Sequence, residues 1–283
     1  MTDLETNYYP NVGQSFEIAG IILVMMLLTN PLNFIFSKFI NKEVMTLICY
    51  LFSIGIPFWI VYLIRKIKTN TKAFNFAIEN RWIIPFVIIA SSALLFGVIE
   101  PICSLIPIPE FFKKMLIEQA NQKGFFFFLC VVVAAPILEE LIFRGIMLDG
   151  LLKKYSPVKS ILISSFLFGF VHLNPLQFVA GLFFGVFIGW SYYKTKSLSL
   201  TIIIHATVNL VGFLMRYFDN FEPLSLVERY GGTLNLVLVI VGCTLIFAIS
   251  TYYLNRVFAE NSVIWYKKGK CCAKENGHIF SKE

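Results

Sequence analysis

Eight apolar runs constrain this chain more than any motif in it. They lie near 16–37, 44–64, 82–99, 124–150, 158–172, 176–193, 198–214 and 233–254. About twenty apolar residues wound as a helix cross the ~30 Å hydrocarbon core of a bilayer. A soluble fold offers no comparable place for so much apolar sequence: 57% of the chain is hydrophobic and only 14% is charged, where soluble domains carry about a quarter charged residues. The expected fold is all-α, a polytopic transmembrane helical bundle of about eight spans. The fifth run is short, and His172-Leu173-Asn174-Pro175 leaves little room for a turn, so runs five and six also read as a broken or re-entrant pair.

The N-terminus, MTDLETNYYPNVGQ, carries Asp3 and Glu5 but no Lys or Arg. It therefore lacks the basic region of a cleaved secretory signal, and the first span is expected to stay in the mature chain. Cytoplasmic loops collect Lys and Arg. With eight spans and the N-terminus inside, the cytoplasmic side receives sixteen: Arg65, Lys66, Lys68, Lys72, Arg81, Lys153, Lys154, Lys159, Lys194, Lys196, Arg256, Lys267, Lys268, Lys270, Lys274 and Lys282. The other side receives seven: Lys38, Lys42, Lys113, Lys114, Lys123, Arg216 and Arg229. A multi-pass protein of the cell membrane with both termini cytoplasmic is expected. The net charge of +7 then reflects orientation and contact with anionic lipid heads, and no basic, aromatic-interleaved surface points to nucleic acid.

No fixed-period repeat and no Gly- or Ser-rich linker divides the sequence. Residues 1–255 read as one transmembrane domain and 256–283 as a basic cytoplasmic tail. Cys49, Cys103, Cys130 and Cys243 sit in or beside apolar runs and read as small hydrophobes. Cys271 and Cys272 read as a reduced pair in a solvated tail; acylation or metal binding with His278 is the competing reading. Pro109–Gln122 reads as a short helix in the membrane interface, and Phe125–Phe128 as lipid-facing or core filler. Gly181, Gly185 and Gly189 recur every fourth residue, a stripe suited to close helix packing.

Information concentrates in the polar residues of the spans. The stretch AAPILEELIFRGIML places Glu139, Glu140 and Arg144 at membrane depth. Unpaired in lipid, three charges would cost roughly 8–10 kcal/mol, at about 2.5–3.5 each. Glu140 and Arg144 are four apart on one helical face, with the acid first, the favourable order for a pair. Glu139 is turned about 100° away and stays available. Pro136, just before it, is expected to kink the helix and make room for water. Two of the chain's three histidines, His172 and His205, also fall within or at the end of spans, where ionisable groups mark function more often than packing. Asn209 shares a helical face with His205, and Phe168 stands four before His172 and would shield it. At 1.5 Å per residue, His172 lies roughly 21 Å from the start of its span, and His205 and Asn209 about 10 and 16 Å into theirs. Glu139 lies roughly 17 Å from the end of its own, so one membrane-embedded polar cavity can hold all four.

In order, EELIFR (Glu139 to Arg144), FGFVH (Phe168 to His172) and HATVN (His205 to Asn209) match the EExxxR, FxxxH and HxxxN motifs of the CAAX protease and bacteriocin-processing (CPBP, or Abi) family. The chain resembles these intramembrane endopeptidases, which include the type II CAAX prenyl proteases, over about 134–212. Lys196 stands where that family commonly has Gly. The resemblance implies proteolysis by activated water: Glu139 as general base, His172 orienting and deprotonating the water, and His205 with Asn209 facing the oxyanion. Glu140, Arg144 and Phe168 would support that set.

No cofactor is favoured. If the reaction depended on metal, Glu139, His172 and His205 would be the ligands for zinc with an open position for water; without HExxH on one helix, spacing does not establish coordination. The expected partners are a membrane-associated peptide or protein substrate, of CAAX or peptide-precursor type, and the bilayer itself. A non-proteolytic factor in bacteriocin self-immunity or sensor regulation is the first alternative. The second is a transporter or proton relay, which polar residues spread through many spans or paired broken helices would favour; here they cluster after residue 130.

Overall fold

A computed structural model describes residues 8–218 and 225–276, with side chains at all of these but Met115, Gln119, Ala120, Phe218 and 260–276. Cys271 and Cys272 fall among the undescribed side chains, and His278 lies outside the described residues. Among the described residues all regular structure is helical. In chain order the helices are α1 Val12–Phe36, α2 Lys42–Thr69, α3 Ile83–Ser104, α4 Glu110–Ala120, α5 Phe125–Leu152, α6 Pro157–Phe170, α7 Pro175–Thr195, α8 Leu198–Phe218, α9 Leu226–Arg229 and α10 Thr233–Asn276. Seven are long and apolar enough to cross a membrane, α10 over Thr233–Ala259. The eighth apolar helix, α6, has only 14 residues and rises about 21 Å. This is the all-α polytopic bundle that the apolar runs require.

The ends of the helices follow from local chemistry. Asn11 caps α1 through the Gln14 amide, and the Gln14 side chain reciprocates on the Asn11 N–H, both at 2.9 Å. Asn70 closes α2 in the left-handed region that Asn tolerates. After α6, Leu173 takes φ 52 and Asn174 caps α7 ahead of Pro175. The segment 171–174 is thus a tight turn between two continuous helices, and α7 alone is long enough to span. Lys196 ends α7 at φ 54, a conformation that suits Gly and costs another residue about 1–2 kcal/mol, which accounts for the Gly common there in the resembling family.

α5 occupies the centre. Ile142, Phe143, Ile146, Met147, Leu148 and Leu151 are all but inaccessible, whereas α1, α2 and α10 turn Leu, Ile and Phe side chains outward. Such exposed rows are what a bundle presents to lipid. Pro136 does not break α5. Its missing N–H and its ring fall against the π-helical turn over Leu129–Ala134, and a second π-helical stretch follows over Leu141–Leu148, the wider winding that occurs mostly as short bulges in helices. The Phe125–Phe128 run divides: Phe125 faces out and Phe127 is buried against Phe213. Pro109–Gln122 contributes α4, and Cys49 and Cys130 are buried free thiols.

The antiparallel pair α6 and α7 packs through the glycine stripe. A Cβ on Gly181 would lie 2.9 Å from Gly169 Cα, and one on Gly169 would lie 2.5 Å from the Phe178 carbonyl. A Cβ on Gly185 would press on Ser165 at 3.0 Å. This close approach brings the Gly185 carbonyl within reach of α5.

Candidate active site

The charged residues of α5 assemble as their spacing requires. Arg144 Nη1 donates to Glu140 Oε1 at 3.0 Å, and Nη2 donates to the Gly185 carbonyl at 3.2 Å. Both side chains are fully buried, so each charge depends on the other rather than on solvent. The guanidinium also lies over the Phe168 ring, 4.5 Å from its centroid, in reach of a cation–π attraction.

Glu140 has a second partner: its Oε1 accepts from His205 Nδ1 at 2.9 Å. A carboxylate only accepts in this role, so Nδ1 carries hydrogen and the ring turns Nε2 toward Glu139, 3.9 Å from Oε2. That gap is too long for a direct hydrogen bond and is the kind of separation one water bridges. Glu139 Oε1 accepts from the Tyr50 hydroxyl at 2.7 Å. Of the two acids, Glu140 is held by Arg144 and His205, and Glu139 keeps Oε2 directed into the cavity.

His172 Nδ1 lies 2.8 Å from the Phe168 carbonyl. The carbonyl accepts, which fixes the hydrogen on Nδ1 and leaves Nε2 with a lone pair when the ring is neutral. Phe168 meets both histidines edge to face, with centroids at 5.3 Å for His172 and 5.6 Å for His205. It touches three of the polar groups at once. Asn209 Nδ2 donates to the Val131 carbonyl at 2.7 Å, using one of two amide hydrogens.

Glu139, His172, His205 and Asn209 line one cavity of about 460 Å³, within the range of ligand sites. Tyr50, Gln177 and Arg216 line it too, and sequence reasoning singled out none of them. Tyr50 lies 89 positions before Glu139 in an apolar stretch, and its one signal is a hydroxyl at membrane depth. A second charge cluster lies toward the other end of α5: Asp149 holds Lys153 and Lys196 at 3.2 Å and Arg65 at 4.0 Å.

The zinc alternative needs Glu139, His172 and His205 to converge on one ion. Among the described residues no three His, Cys, Asp or Glu side chains are grouped to hold a metal. The Nδ1 bonds of His172 and His205 leave Nε2 of each ring as the nitrogen a metal would take, and no step is routed through a metal.

These features define a class: a polytopic α-helical membrane protein with a buried acid–histidine centre open to a cavity. Within that class, the family model described as type II CAAX prenyl endopeptidase Rce1-like matches residues 121–211, a stretch that contains all three motifs from Glu139 to Asn209. That match covers about a third of the chain, namely α5 to most of α8. At family level it supports membrane-embedded, CAAX-type proteolysis. No curated protein and no solved structure matches the chain.

Proposed function

We propose that this protein is an intramembrane endopeptidase that cleaves a membrane-associated peptide or protein with water activated by Glu139 and His172. The observation that carries the reading is the division of labour between adjacent acids. Glu140 is neutralised by Arg144 and His205, while Glu139 is oriented by Tyr50 and keeps one oxygen toward a water-sized gap. A general base must lie within hydrogen-bond reach of the water whose proton it takes. Glu139 Oε2 takes a proton as the water oxygen attacks the scissile carbonyl carbon, and His172 Nε2 accepts the water's other hydrogen bond. The tetrahedral intermediate then collapses, the C–N bond breaks, and Glu139 returns the proton to the leaving amine.

For the oxyanion, Asn209 has its second amide hydrogen to offer. His205 Nε2 donates only when the ring carries both protons, a form that the Glu140 carboxylate at 2.9 Å compensates. The test uses purified protein in detergent with a quenched fluorescent peptide of CAAX type, prenylated and unprenylated, and a panel of apolar peptides. Glu139→Gln is expected to abolish cleavage with folding retained, and strong chelation to leave it intact. Glu139→Gln at full activity would overturn the proposal; loss on chelation restored by zinc would replace its mechanism.

A further inference from the structure

One face of α8 runs along the cavity. His205, Val208, Asn209, Gly212, Phe213 and Arg216 all line it, at steps of three and four residues that keep them on a single stripe. Glu139 lies beside His205, so the reacting groups sit at one end of that stripe and Arg216 at the other. Arg216 follows His205 by eleven residues and Asn209 by seven, or about 16 and 10 Å along the helix axis. Among the described residues, Glu139 is the one acid that lines the cavity and Arg216 the one Lys or Arg.

The guanidinium is held in a defined place. Its centre lies 4.8 Å from the centroid of the buried Phe127 ring, and that ring tilts against Phe213 at 6.4 Å. Stacking of this kind sets the plane of the fork. A cation in the last turn of a helix also suits the helix dipole. The dipole acts at any angle around the axis, however, and it is the register with Asn209 that turns Arg216 to the cavity. In a spanning helix such as α8, an ionisable group that faces a cavity rather than lipid marks the path of a polar ligand. Five N–H donors in a rigid plane can serve a protein acceptor and still present a parallel pair to a carboxylate.

We propose that Arg216 is a specificity residue that binds a carboxylate of the peptide, a site whose part in cleavage rests on the endopeptidase reading but whose binding does not. In that reading Asn209 faces the oxyanion, and an extended strand advances about 3.3 Å per residue, so the carboxylate lies roughly two to four residues from the bond that is cut. Between the two ends the strand meets the apolar walls of Leu95, Val208 and Phe213. A free C-terminus and an Asp or Glu side chain offer the same planar group.

The test uses one apolar quenched fluorescent peptide in three forms: with a free C-terminal carboxylate, with a C-terminal amide, and amidated with a single Glu stepped along the residues beside the cut, which mass spectrometry of the products locates. Purified protein in detergent is expected to cut at least one carboxylate form about tenfold faster than the plain amide, the scale of one charge-assisted contact. In Arg216→Gln that ratio falls to near one, with the loss in KM, as for a contact made equally before and during reaction. Arg216→Lys, which keeps the charge without the fork, retains part of the preference. Preference for the free C-terminus alone identifies a terminal carboxylate, and preference for a Glu form identifies a side chain. The same ratio in Arg216→Gln as in the parent protein, or no preference in the parent, overturns the proposal. Fluorescent versions of the peptides are also titrated by anisotropy onto Glu139→Gln and Glu139→Gln/Arg216→Gln. An Arg216-dependent preference in binding, with no peptide cut by the parent protein, keeps the carboxylate site and sinks the endopeptidase reading. Binding without that preference overturns the site whether or not peptide is cut, and so does a lack of binding by every carboxylate form.

Discussion

Arg144→Met separates the energetic role of the α5 charges from any role in chemistry. The substitution keeps a long side chain against Phe168 but deletes both guanidinium bonds, to Glu140 Oε1 at 3.0 Å and to the Gly185 carbonyl at 3.2 Å. Glu140 then sits fully buried with His205 as its one remaining donor, and its Oε2 already has no hydrogen-bond partner. Breaking a buried pair by removing one partner costs about 3–5 kcal/mol, because a charge is left uncompensated. Removing the charge as well recovers most of that. In Glu140→Gln/Arg144→Met the amide oxygen still accepts from His205, so the double variant is expected to lose no more than about 2 kcal/mol, about 1–3 kcal/mol less than Arg144→Met alone. Reversible unfolding of the purified protein in mixed micelles of rising SDS fraction, followed by circular dichroism, measures all four corners of the cycle. Arg144→Lys should fall between, since a single ammonium cannot serve both acceptors in the guanidinium's planar geometry. If the costs of Arg144→Met and Glu140→Gln add to that of the double variant within about 0.5 kcal/mol, the sites are independent and the account of Glu140 as a paired charge is wrong.

Tyr50→Phe removes the one hydrogen bond to Glu139 Oε1; a bond to a charged group is worth about 1.5–3 kcal/mol, so cleavage should slow by roughly ten- to a hundredfold with KM nearly constant. An unchanged kcat would take Tyr50 out of the site. Gly181→Leu forces side-chain atoms against the Gly169 backbone, 2.9 Å from the position of the first added carbon, and should destabilise by at least the ~1–3 kcal/mol typical of overpacking. Gly20→Ala, where nothing lies within 4 Å, should be neutral or gain up to about 1 kcal/mol; equal losses at both positions in the same SDS titration would refute the packing argument. Phe168→Leu withdraws the ring from Arg144, His172 and His205 together and should lower both unfolding midpoint and cleavage rate, whereas a loss in neither contradicts its place as the shared wall.

What could be read from the sequence, and what could not, divides by the range of the interaction. The Glu140–Arg144 pair is local: four residues on one helix, and the cost of a bare charge in lipid, suffice to expect it. The glycine stripe is equally local, since the spacing of Gly181 and Gly185 marks a face whatever packs on it. Tyr50 and the Gly185 carbonyl come to α5 from other helices, and no spacing within α5 announces them. The histidines fall between. Their motifs place His172 and His205 at membrane depth, but which ring nitrogen faces the cavity depends on the Phe168 carbonyl and on Glu140, so a bond expected toward an oxyanion turns out to be half committed to an acid. Lys196 shows the reverse case. Its left-handed backbone at φ 54 is invisible in its own side chain, and becomes legible only because Gly is usual there among resembling proteins; here the Asp149 pair at 3.2 Å gives the Lys a partner that Gly would lack. The same divide governs the cavity's side. Depth along each span puts Glu139 and His205 near mid-membrane from sequence alone, and only the packing of α5 against its neighbours decides which half beneath or above them is filled.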